Sequence, residues 1–102
     1  MRIEYNYQPI QKPAKVLLRC EKMLQREFLY ISANSPKQAE ILLEQFDETL
    51  KTIERMPTMG AIYKGKMRRM KLGKFRYYVY YRETKTAIEI LGIWHTSKGS
   101  SF

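Results

Sequence analysis

From Lys64 to Arg76 the chain carries seven Lys and Arg in thirteen residues with no acid among them, and Tyr77, Tyr78, Tyr80 and Tyr81 follow at once. Cations of this density neutralise phosphates, and phenol rings beside them stack on bases, which together is the chemistry of single-stranded nucleic-acid binding. The same residues also build a sheet without any ligand, because Tyr is a good strand residue and cross-strand Tyr and Arg pairs are stabilising. The candidate binding set is Lys64, Lys66, Arg68, Arg69, Lys71, Arg76, Tyr78, Tyr80 and Arg82.

Charge is concentrated in the same half of the chain. Residues 57–102 hold ten basic and two acidic side chains, and so contribute +8 of the formal +9. An asymmetry of this size implies an anionic partner: a nucleic acid, an acidic protein segment or a charged surface. Its structural alternative is a solvated basic face.

Other chemistries find few residues. Cys20 is the single cysteine, so no internal disulfide can form, and no Cys and His cluster has the spacing of a zinc site. Cys20 falls on an apolar stripe with no neighbour to stabilise a thiolate. Lys64-Gly65-Lys66 lacks the rest of a P-loop, and no nucleotide cofactor is expected. The N-terminus has no apolar h-region, and no apolar run approaches a membrane span. The expected chain is cytoplasmic, with no membrane, metal or small-molecule cofactor.

The elements that must position the basic residues can be read from periodicity. Length and a hydrophobic fraction of 44% suit one domain over residues 1–102. Ile3, Tyr5 and Tyr7 alternate as a short first strand ended by Pro9. Pro13 opens a helical pattern through Leu17, Cys20, Leu24, Phe28 and Ile31. Ser35, Pro36 and Gln38 then form a capping signature for a second helix. Its apolar face is Ala39, Leu42, Leu43, Phe46, Leu50 and Ile53, and Pro57 and Gly60 end it.

Beyond Gly60 the period changes to two. Residues 62–72, 75–82 and 87–95 read as three strands, with turns at Gly73–Lys74 and at 83–86. The expected fold is α+β: an N-terminal strand and an antiparallel two-helix hairpin packed on a C-terminal antiparallel three-stranded meander. Phe28, Leu42, Phe46, Leu50, Ile53, Tyr77 and Val79 should form its core. On the middle strand Phe75, Tyr77, Val79 and Tyr81 point to the helices, and Arg76, Tyr78, Tyr80 and Arg82 point away. Trp94 reads equally as core or as an exposed anchor.

This order of elements resembles the RelE/ParE superfamily of type II toxin–antitoxin toxins, which includes plasmid stabilisation proteins. The resemblance is carried by Ser35, Pro36 and Ala39, by Pro57 and Gly60, by Arg68 to Arg82 and by Ile88 to His95. It implies a RelE/ParE-like fold over nearly the whole chain and a cognate acidic antitoxin as partner. Two activities occur in the superfamily. RelE-like members cut messenger RNA on the ribosome without a metal, and ParE-like members poison DNA gyrase.

Metal-free RNA cleavage needs a group to activate the 2′-hydroxyl, cations for the phosphorane and an acid for the leaving oxygen. For a RelE-like toxin the resemblance implies Arg69, Lys71, Arg76 and His95 as the catalytic set. Against that reading, Tyr78 stands where those nucleases carry an arginine, and the terminal SKGSSF contains no tyrosine. The long helix hairpin with its Ser-Pro turn is more similar to ParE. The resemblance therefore favours a ParE-like gyrase poison, with a ribosome-dependent endoribonuclease as the alternative and a non-toxic nucleic-acid-binding module as a second one.

Overall fold

A computed structural model describes residues 12–98. The order is strand β1 (Ala14–Val16), helix α1 (Leu18–Ser32), helix α2 (Pro36–Arg55), strands β2 (Ala61–Lys64), β3 (Met67–Lys71), β4 (Tyr77–Glu83) and β5 (Ile88–His95), and a 3-10 turn (Thr96–Lys98). The strands form one sheet in the order β1-β5-β4-β3-β2, in which β1 runs parallel to β5 and all other pairs are antiparallel. This is the α+β arrangement expected, with a strand, a helix hairpin and a run of C-terminal strands.

Two boundaries differ from the periodicity. Residues 14–16 are a strand, not the first turn of a helix: Pro13 O accepts from Ile88 N at 2.9 Å, Leu17 N donates to Ile90 O at 3.1 Å, and Leu17 itself is extended. The partner is too distant in sequence for a local pattern to reveal it. The strand expected at Ile3 to Tyr7 lies outside the described residues. Residues 62–72 are two strands, because Gly65 takes φ +57 in the turn between β2 and β3, a left-handed conformation that glycine adopts without a Cβ penalty. The C-terminal meander thus has four strands. Its strand β4 begins at Tyr77, after a turn in which Gly73 has φ +51.

Local capping places the helices. The Ser35 hydroxyl accepts from Gln38 N at 3.2 Å and Pro36 occupies the first turn of α2. The Gln38 half of the capping box has no donor to receive, because Ser35 N already donates to Ile31 O at 2.9 Å. That bond closes the link from α1 to α2.

The core lies between the helices and one face of the sheet. Cys20, Leu42, Phe46 and Ile53 from the helices meet Tyr77, Val79, Tyr81, Ile88, Ile90 and Ile93 from β4 and β5. Leu50 packs partly buried at the edge of this cluster, Phe28 is half-buried outside it and Leu43 is 41% exposed. A bulge in β5 lets the sheet keep its apolar face: Tyr80 pairs with Gly92 but Tyr81 with Ile90, so Leu91 is the extra residue. Ile90 and Ile93, three apart, thereby both face the helices.

Burial governs the titration of this core. The Cys20 thiol is pushed up to about 12 by desolvation first and by the Glu21 charge second. The Tyr77 phenol is raised by burial, by its hydrogen bond to the Glu27 carboxylate and by that carboxylate's charge. Burial also raises Tyr81, against the opposing Gly60 hydrogen bond and Arg68 charge. A folded pKa above the ordinary value means that the unfolded chain loses its proton more readily. For Cys20 the stabilising contribution is complete below the ordinary 9.0 and is lost as pH rises toward 12. The urea midpoint should therefore fall across that alkaline window, and less steeply in Cys20→Ala. A midpoint independent of pH there would show that these groups titrate as they do in the unfolded chain.

Candidate target-binding face

Strand alternation sorts the basic run onto two faces. Met70 pairs with Val79 on the helix side, so its neighbours Arg69 and Lys71 lie on the outer side, opposite Tyr80 and Tyr78. Arg68 pairs with Tyr81 and follows it inward, donating to Gly60 O at 2.8 Å and Thr58 O at 3.1 Å. Two adjacent arginines, grouped in one surface by composition, thus serve different sides of the sheet.

On the outer face the rings and Arg69 form a closed cluster. The Arg69 guanidinium carbon lies 4.2 Å from the Tyr78 ring centroid and 5.2 Å from that of Tyr63, within cation–π range. Tyr80 meets Tyr63 edge-on at 5.1 Å and Tyr78 at 6.2 Å. A side-chain hydrogen bond with Tyr80 is the first cause of the raised Arg69 pKa.

This packing changes what the tyrosines can do. Tyr80 is 2% exposed, a correction to its expected place on the open face. It is the floor of the cluster, beneath Tyr63 and Tyr78, and has no free surface on which a base could stack. Period-two reasoning put Tyr80 on the correct side, but could not foresee that Tyr63, delivered by the Gly65 turn, would cover it. Tyr63 was absent from the sequence-derived set for the same reason.

The remaining candidates are dispersed. Lys71 and Arg76 are exposed, with the Arg76 carbonyl accepting from Thr96 N at 2.8 Å. Lys64 and Lys66 are exposed at the β2–β3 turn. Arg82 is neutralised by Glu89 at 2.9 Å across β4 and β5.

His95 lies on the inner face. It pairs with Tyr77 in the register, and the two rings meet edge-on at 5.3 Å. Its Nδ1 accepts from Ser97 N at 3.1 Å and sits 2.7 Å from the Ser97 hydroxyl. An accepting Nδ1 leaves the proton of the neutral ring on Nε2. Around it a cleft is lined by Arg26, Glu27, Tyr30, Tyr77 and Ser97. Glu27 and Ser97 gave no sequence signal, since Glu27 is an ordinary polar residue of an amphipathic helix until β4 packs against it.

By register, Arg69 and Lys71 are therefore on the opposite face of the sheet from His95. Among the described residues no group of three or more His, Cys, Asp or Glu could hold a metal ion, and no helix is long and apolar enough to cross a membrane.

Comparison with known proteins agrees with this architecture. A family model described as "ParE toxin of type II toxin-antitoxin system, parDE" matches residues 15–99. A solved structure of the chromosomal ParDE TA system from P. aeruginosa superposes with a TM-score of 0.73 at 18% identity, covering 85% of this chain and 98% of that one. No curated protein matches. The family match extends from β1 to just beyond the 3-10 turn, and on it the chain belongs to the ParE toxin family of type II toxin–antitoxin systems.

Proposed function

We propose that this toxin arrests growth in the ParE-like manner, by binding DNA gyrase, and that a cognate acidic antitoxin neutralises it. The observation that carries the reading is the division of the basic pair from the histidine. Arg69 rests against Tyr63 and Tyr78 on one side of the sheet, and His95 is held by Ser97 and Tyr77 on the other. Phosphodiester cleavage needs its cations and its proton-transfer groups within hydrogen-bond reach of one phosphate. A binding face needs no such convergence.

The basic half supplies the attraction for both macromolecules. Lys71, on β3, and Arg76, in the turn before β4, are exposed, and an acidic antitoxin laid over them would cover the surface used against the target.

The test is a pair of assays on the same protein. Purified toxin should inhibit gyrase supercoiling, and cells expressing it should accumulate DNA breaks while their messages stay intact. Lys71→Ala should weaken inhibition by about 1 kcal/mol or less, as an exposed cation does. Ribosomal A-site cuts in mapped RNA 5′ ends, lost in Arg76→Ala, would overturn the proposal in favour of the endoribonuclease.

A further inference from the structure

The end of the sheet where β3 and β5 begin gathers four cations from four segments. Antiparallel pairing brings the β2–β3 turn, with Lys66, beside the β4–β5 turn, with Lys85. Parallel pairing of β1 with β5 adds Lys12, just ahead of β1, and Arg68 joins from β3. Together they line a cleft of about 570 Å³, the size of a small-ligand site.

Two of the four are anchored. Lys12 donates to the Glu83 carboxylate at 2.9 Å and to Thr84 O at 2.7 Å. Arg68 donates to two backbone carbonyls, which fix the guanidinium without neutralising it. Lys66 and Lys85 are exposed and make no ion pair with another described residue. Lys85 stands on a turn braced by three Thr84–Ala87 hydrogen bonds of 2.8 to 3.1 Å. Among the described residues Glu83 is the one carboxylate on the wall, and their lining carries a net charge of +3.

Anchored cations, Lys12 and Arg68, together with exposed ones, Lys66 and Lys85, suit a compact polyanion. A carboxylate brings one charge and would leave most of these cations unmatched, whereas linked phosphates bring several within a few ångströms. We infer that this cleft binds a ligand with two or more clustered phosphates, either the di- or triphosphate of a nucleotide or adjacent backbone phosphates of a nucleic-acid strand. The site is separate from the gyrase reading, and its readout is binding to the toxin alone.

Titration calorimetry on the full chain with inorganic pyrophosphate tests it directly. Saturable binding should weaken about tenfold or more in Lys66→Gln/Lys85→Gln, whose melting temperature should equal the parent's because both side chains are exposed. Lys37→Gln, on α2, should bind as the parent does. Competition identifies the source: tighter binding of ATP than of a short oligothymidylate assigns a nucleotide, and the reverse order assigns a strand. Absence of pyrophosphate binding at millimolar concentration, binding indifferent to the double substitution, or displacement of pyrophosphate by an oligoglutamate peptide of higher affinity would overturn the inference.

Discussion

Phe46→Ala should cost about 3–5 kcal/mol of stability, because it removes a whole aromatic ring from a site with little room to collapse. Phe46 is 7% exposed and belongs to the cluster in which Leu42 and Ile53 of α2 meet Tyr77, Val79 and Ile93 of the sheet. A chain of this length has about 5–15 kcal/mol in total, so the variant gives up a large part of what holds it folded. Its melting temperature should drop by tens of degrees, since each kcal/mol is worth about 4–8 °C in a domain of this size. Phe46→Leu keeps most of the buried area and should lose less than half as much. A Phe46→Ala protein melting within a few degrees of the parent would mean that α2 does not rest on the sheet through this ring.

The second large effect sits where α2 hands over to β2. Gly60 is buried, its N–H donates to the Tyr81 hydroxyl at 3.0 Å, and that hydroxyl donates to Pro57 O at 2.9 Å. A Cβ on Gly60 would lie 2.2 Å from the Tyr81 hydroxyl oxygen and 2.9 Å from Arg69 O. Gly60→Ala should thus cost about 1–3 kcal/mol through overpacking. Tyr81→Phe should cost about 1–3 kcal/mol by another route, because it strips a buried donor and a part-buried acceptor of their partner. It also removes the nearest of the atoms that a new methyl would meet. The double variant should therefore lose less than the sum of the singles, by about 0.5 kcal/mol or more. Strict additivity in urea denaturation would show that the glycine and the phenol do not constrain each other.

What could be read in advance depended on the range of the interaction. Ser35 and Pro36 announce α2 because a cap is made within one turn, and Tyr77, Val79 and Tyr81 announce their face because alternation is a property of a single strand. Val16 could not announce itself, since its partner Ile90 is far along the chain and its own neighbours continue a helical stripe. The split at Gly65 escaped because Lys64, Gly65 and Lys66 have no apolar member to break the pattern. The candidate face suffered most. Composition counts Arg68 and Arg69 together, but pleating assigns one to backbone carbonyls and the other to a stack of rings. Tyr80 looked exposed for a related reason, as its cover comes from a different strand.

The last strand of the described residues is not at the margin of the sheet. β5 lies between β1 and β4, and its pairing with β1 joins Ala14 to Ile88 across 74 residues of chain. A nascent chain that ends before residue 88 has no seat for β1 and lacks Ile88, Ile90 and Ile93, against which the helices bury their apolar faces. Contacts this remote in sequence carry the largest loop-closure cost and form only once local hairpins have shortened the path. Interrupted synthesis therefore leaves an unfinished chain with exposed apolar surface, open to proteolysis, and not a smaller toxin. For a member of a toxin family, this topology ties a folded molecule to translation having passed β5.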